Sequence, residues 1–254
     1  MKQLIFFISL SLILILINSC KQAETTVINS EPDQQIFKPF GDQEPYLLLS
    51  LTKGKAHNHP SLAIWMEDMQ GQMIQTLFVT KSVATGFYNF GDAGNGKWLK
   101  TPGVAKRPAS LPYWLHRREL ALNENQVVPS REMPVPDAYT GATPVGSFSL
   151  KTLPLKKIPE KFRLFIEVNQ PWDWNAYWNN TKYEGNADYR SSAQPSLIYA
   201  VTVDTQSEMK KFYLNPVGHG HYAGEDGKLY TNISTLTTAK NIFDIIMLQI
   251  GDNE

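Results

Sequence analysis

Phe162, Leu164, Ile166 and Val168 occupy every second position of one stretch, and only Phe165 breaks the alternation with polar or charged neighbours. A period of two is the mark of a strand with one face in a core. Leu62, Ile64 and Met66 repeat the pattern against Ala63, Trp65 and Glu67. Gly71 follows in a short polar turn, and residues 72–80 make a second run, so this region is predicted to be a hairpin. Segments 45–52, 146–152, 196–204 and 211–217 also read as strands. Residues 241–250 fit either strand or helix, with the β-branched content favouring strand. One segment, 110–122, reads as a helix, with a Ser start, a Pro near the first turn and good helix formers after it. Segments 83–108 and 123–145, rich in Gly and Pro, read as long loops. The expected fold is mainly β: an Ig-like β-sandwich with one or two short helices and long loops.

The amino terminus sets an address. Lys2 precedes an apolar run from Leu4 to Ile17, broken only by Ser9 and Ser11, which ends at Asn18-Ser19-Cys20. The run is shorter than the ~20 residues that a membrane-spanning helix needs. It has the layout of a secretory signal with a lipoprotein cleavage site, which makes residues 1–19 a signal peptide. Cys20 is the chain's single cysteine, so it has no disulfide partner and is the expected site of lipidation. A thioether lipid and an acylated amino terminus together supply the two signals that stable anchoring needs. The expectation is export and lipid anchoring to a bacterial envelope membrane, on the periplasmic side or the cell surface. Residues 20–44 are rich in Gln, Glu, Asp, Thr and Ser and read as a flexible tether. Residues 45–254 read as one β-rich domain. Lys and Arg together number 24 and so do Asp and Glu, and this balance argues against a nucleic-acid partner.

The sharpest motif is Asp137-Ala138-Tyr139-Thr140-Gly141-Ala142-Thr143. It resembles the flavinylation motif Asp-x-x-(Ser/Thr)-Gly-Ala-Thr, on whose last threonine a flavin transferase attaches FMN through the phosphate. The resemblance implies covalent FMN on Thr143, with Asp137, Thr140, Gly141 and Ala142 as recognition residues for the transferase. The acceptor hydroxyl has to attack a pyrophosphate phosphorus inside a second protein's active site, where catalysis is mainly positioning and charge neutralisation. Gly141 and Ala142 leave room for that approach. Prolines 134, 136 and 144 keep the segment out of regular structure. A plain Thr-Gly turn between strands is the structural alternative.

More widely, the chain resembles the predicted periplasmic proteins called domain of unknown function 2271. The resemblance runs through Ser61–Asp68, Gly71–Leu77, Asp137–Phe148, Phe162–Glu167, Gln194–Tyr199, Gly218–His221 and Thr237–Ala239. It implies an envelope location, a sandwich fold and association with flavin transfer and membrane redox partners, without naming one activity.

Two further clusters stand out. Trp172, Trp174, Tyr177 and Trp178 lie within seven residues. Such rings stack on a flavin or on sugars, or they cover the open end of a sandwich. His219-Gly220-His221 offers two imidazoles, either as ordinary hydrogen-bonded loop residues, as metal ligands, or, for His219, as a flavin contact. No third ligand is set by spacing, so no metal is expected. Trp172, Trp174 and His219 are therefore the candidate flavin contacts beside Thr143. The expected function is extracytoplasmic electron transfer by a covalently bound flavin, with a flavin transferase and a membrane redox partner. The alternative is a surface β-sandwich that binds a glycan or a protein without a cofactor.

Overall fold

A computed structural model of the chain describes residues 33–39, 41–94, 97–122, 128–136 and 140–251. Cys20 and Asp137 lie outside the described residues. In chain order the elements begin with strands β1 (Gln34–Pro39), β2 (Tyr46–Lys53), β3 (Ser61–Glu67) and β4 (Met73–Thr80), then helix α1 (Lys81–Thr85). Four short strands follow, β5 (Phe87–Tyr88), β6 (Asp92–Gly94), β7 (Lys97–Trp98) and β8 (Gly103–Val104), and then α2 (Pro112–Leu122). Next come β9 (Thr140–Gly141), β10 (Phe148–Leu153), β11 (Lys161–Asn169) and α3 (Ala187–Ser192). The last strands are β12 (Leu197–Asp204), β13 (Lys211–Tyr213), β14 (Asn215–His219) and β15 (Phe243–Gly251).

Two large sheets form, with orders β1-β10-β2-β15-β13 and β14-β12-β11-β3-β4-β9. The period-two residues meet between them. Leu47, Leu49 and Leu51 of β2 and Ile246 and Leu248 of β15 share one buried core with Leu62, Ile64 and Met66 of β3 and Leu164 and Ile166 of β11. The fold is mainly β and of sandwich type. Of residues 241–250, open between strand and helix, 243–250 belong to β15, an interior strand paired to β2 on one side and β13 on the other, and Asn241 closes a short 3-10 turn before it.

A third layer covers the outer face of the second sheet. Every residue of β3 is buried, because Ala63 and Trp65 point away from the sandwich core into a second cluster. That cluster takes Val83 and Ala84 from α1, Leu111 just before α2, and Tyr113, Trp114 and Leu115 from the start of α2. Phe165 belongs to it and stacks on Trp65 at 5.3 Å. The break in alternation at Phe165 is thus the second core showing through β11. The third layer also fixes α2, whose first backbone N–H groups have no partner within the helix. Glu167, on the same outer face of β11, accepts from Tyr113 N at 3.1 Å and Trp114 N at 2.7 Å.

Three expectations need correction. Residues 34–39, read as tether, are β1, which pairs in parallel with β10 from Gln34↔Phe148 to Pro39↔Leu153. Segment 83–108 is not one long loop. It holds the end of α1 and two miniature antiparallel pairs, β5 with β8 and β6 with β7. The 211–217 run is two strands in different sheets: β13 pairs with β15, β14 pairs with β12, and buried Leu214 marks the crossing. Pro216 is accommodated because β14 is an edge strand, where a missing N–H leaves no ladder partner stranded.

Candidate functional site

Strand register brings several chain segments to one end of the second sheet. Ser61 opens β3 opposite Asn169, which closes β11, and Ala63 lies opposite Val79 near the end of β4. The chain therefore enters β3 from Asn58-His59, leaves β4 into α1 and leaves β11 toward Pro171-Trp172, all at this end. The edge strand β9 arrives here too, because Thr140 and Gly141 run parallel to Val79 and Thr80. A cavity of about 830 Å³ opens among these segments. That is the size class of a cofactor or small-molecule site.

Thr143 lines the cavity. The residues before it explain its placement. Thr140 is buried, and Gly141 packs against the ring of Phe78 so closely that a Cβ there would overlap Cε2. Ala142 is exposed, Thr143 half-buried and Pro144 buried. The two-residue strand pins the segment, and Thr143 is the first hydroxyl side chain beyond the pin.

The rest of the lining is aromatic and cationic. Phe87, Tyr88, Phe90 and Trp172 supply rings, with Phe90 and Trp172 edge to face at 5.0 Å. Lys81 and Arg131 are exposed lining residues, whereas Arg107 is only 4 % exposed. Its guanidinium lies 4.1 Å from the ring centre of Tyr88, 4.8 Å from that of Trp98 and 5.6 Å from that of Trp172. Nη2 donates to the Phe90 carbonyl at 3.0 Å, and Nε has no hydrogen-bond partner among the described residues. Burial pulls the guanidinium pKa down, against opposing pulls from Tyr88 and Asp92, and burial pushes the Tyr88 phenol up.

Trp172 owes its position to a strained, heavily bonded loop. Its φ of 56° lies in the left-handed region, unusual for a bulky residue. Buried Gln194 holds the turn that follows. It donates to the Asp173 carbonyl at 2.9 Å and accepts from Asn175 Nδ2 at 3.0 Å and Thr237 N at 2.8 Å. The Asp173 carboxylate accepts from Thr238 Oγ1, and burial raises its pKa while that bond lowers it.

The structure separates the remaining candidates from this cavity. Trp174 and His219 do not line it. Trp174 packs edge to face on Tyr189 at 5.6 Å, and Trp178 donates through Nε1 to Thr235. Tyr183 and Tyr222 stack face to face at 3.9 Å, and Lys182 sits 3.6 Å over Tyr177. His219 bonds through Nδ1 with the Gly220 carbonyl and stacks on Tyr230, and burial is the main cause of its lowered pKa. These rings serve one another's packing. Among the described residues no group of three or more His, Cys, Asp or Glu is placed to hold a metal.

Sequence reading missed Arg107, Tyr88, Phe90, Lys81 and Arg131, and it missed Gln194 as the organiser of the Trp172 loop. The available signal was four aromatics (Phe87, Tyr88, Phe90 and Trp98) crowded into a segment taken for loop. Solvated loops carry few such residues. In comparison with known proteins, no family model, no curated protein and no solved structure matches the chain.

Proposed function

We propose that this chain is an envelope electron carrier with FMN attached covalently to Thr143 and seated in the cavity at the end of the second sheet. One observation carries the reading: the acceptor residue of the Asp137–Thr143 motif is itself a wall of a flavin-sized, aromatic-lined, cation-bearing cavity. The residues present fit the group. Planar rings flank the space, the cations suit a phosphate, and Thr143 supplies the hydroxyl.

Attachment balances as a phosphoryl-type transfer from FAD. The Thr143 Oγ–H bond and the pyrophosphate P–O bond break, and an Oγ–P bond forms to the FMN phosphorus. AMP departs, and the proton goes to a base of the transferase. Lys81 and Arg131 would offset the charge of the phosphodiester, and Phe87, Phe90 and Trp172 would offer aromatic surface to the ring. Bound flavin supplies one- and two-electron chemistry, while the protein supplies position and electrostatics. Covalent attachment suits an exported carrier, because a dissociated cofactor outside the cytoplasm is diluted away. A lipid on Cys20 would hold the carrier beside membrane redox partners. The alternative of a glycan-binding module draws less support, since the rings around Trp178 turn their faces to one another and to Lys182.

The test is co-expression of the full chain with a flavin transferase. The expected product is yellow, keeps its in-gel fluorescence after denaturation and gains the mass of one FMN on the peptide containing Thr143. Thr143→Ala loses all three. An unmodified Thr143 peptide from cells with an active transferase overturns the reading.

A further inference from the structure

Arg107 is the most deeply buried cation of the cavity, and among the described residues no carboxylate pairs with it. Asp92, the acid that acts on it electrostatically, is exposed on the short β6 strand. Isolating a charge from water is costly even after relaxation. The three ring faces and the Phe90 carbonyl offset part of that cost, and Nε stays without a partner. A side chain that only filled this space would be better uncharged. Lys81 and Arg131, both exposed, suffice for a phosphate at the cavity's surface, which leaves the buried charge for the ring.

We propose that Arg107 is the counter-charge for the negative charge that the flavin ring acquires on reduction, and so raises its reduction potential. The proposal rests on the reading that FMN occupies this cavity. When two electrons from a reductant and one proton from water enter the ring, it gains one negative charge, and no bond to the protein forms or breaks. A fixed cation in a poorly solvated wall favours that state over the neutral oxidised one. At lower pH a second proton neutralises the reduced ring, and the advantage disappears.

The experiment is a dithionite titration of the loaded full-length protein against redox dyes at several pH values, for wild type, Arg107→Gln and Arg107→Lys. Arg107→Gln is expected to shift the reduced-to-oxidised ratio about tenfold toward oxidised at neutral and alkaline pH, roughly 30 mV for a two-electron couple. Arg107→Lys keeps most of the wild-type potential, and the gap between wild type and Arg107→Gln closes as pH falls. A cation that merely braces the fold would give a gap that does not depend on pH. Equal potentials in loaded wild type and Arg107→Gln overturn the role of Arg107 alone. A chain that takes up no flavin overturns the underlying reading and this inference together. Circular dichroism of each variant identifies one that has not folded. If Arg107→Gln fails to fold, Arg107→Met takes its place with the same expected loss.

Discussion

Gly141 packs against the ring of Phe78, with no space between them for a Cβ. Phe78 is fully buried and contacts Phe148 across the sandwich at 6.3 Å, so its ring has nowhere to retreat. Gly141→Ala is expected to lower stability by about 1–3 kcal/mol, the usual range for overpacking. Phe78→Leu frees space, and the double variant should recover part of the loss that Gly141→Ala causes in the wild-type background. Urea unfolding of the four proteins checks this. Strictly additive effects would show that the clash is not what makes glycine necessary. Gly141 seats β9, and under the proposed function it also serves recognition by a transferase; the double variant separates the two roles. It regains the fold whether or not it regains flavin.

Glu167 links two layers of the protein, and its burial makes stability depend on pH. Desolvation pushes its carboxyl from the ordinary 4.5 up to about 7, against the lowering effect of donors from Ser196, Trp114 and Tyr113. The folded state therefore holds a proton that the unfolded state has released. Its stabilising contribution is complete below about 4.5 and is lost as pH rises through about 7. The slope approaches about 1.4 kcal/mol per pH unit inside that window. Glu167→Gln abolishes this titration. It should be less stable than wild type at the acid end, by about 1 kcal/mol for one N–H left without an acceptor. The difference should shrink or reverse by neutral pH. Urea midpoints of both proteins across the window test it, and parallel curves would sink the idea. Comparing the two proteins also cancels the opposite trend from His57 and His219, whose pKa values are lowered.

Much of the sandwich is legible in the chain because the period-two pattern is a local consequence of having one buried face. Leu62, Ile64 and Met66, and Phe162 to Val168, carry it openly. What is illegible is non-local. Residues 34–39 look like tether until β10, more than a hundred residues away, offers them a parallel edge. The 211–217 run looks continuous because nothing local marks Leu214 as the place where the chain changes sheets. Thr143, the proposed acceptor, is visible as part of a motif, since its spacing is local. The cavity around it is not, because Tyr88, Arg107, Arg131 and Trp172 converge from four separate segments. Trp174 and His219 are candidate flavin contacts on their chemistry alone, and the fold sends them to an aromatic cluster away from the cavity.

Trp65 and Phe165 look in the sequence like exceptions to an alternating pattern, and in the fold they are a second core. Phe165→Ala is expected to cost about 3–5 kcal/mol, the range for truncating a buried aromatic. An aromatic on a solvated sheet face would cost within about 0.5 kcal/mol. The two values are far enough apart for one denaturant titration to decide. Because Trp65 is fully buried and also donates to Glu67 at 2.9 Å, Trp65→Phe should keep a ring against Phe165 while losing that bond and leaving a small void. Its cost should be about 1–3 kcal/mol, below that of Phe165→Ala.

Gln194 is buried in the loop that presents Trp172, and it uses both ends of its amide. Gln194→Ala strands the Thr237 N–H and removes one of the two donors to the Asp173 carbonyl, which keeps the backbone N–H of residue 194. Each buried polar group left without a partner costs about 1–3 kcal/mol. The unusual φ of Trp172 persists only while its surroundings over-determine it. The expected result is therefore both a lower melting temperature and a Trp172 ring that leaves the cavity wall. Iodide quenching of tryptophan fluorescence reads the second effect, with Trp172→Phe in each background assigning the signal. Gln194→Glu keeps the acceptor for Thr237 and Asn175 but loses the donor to Asp173, and it adds a carboxylate near that of Asp173. It should resemble wild type at acid pH, where the carboxyl is protonated and can still donate, and should resemble Gln194→Ala as pH rises. If Gln194→Ala leaves Trp172 as shielded as before, then its packing against Phe90 and Arg107 holds it in the wall without help from the loop.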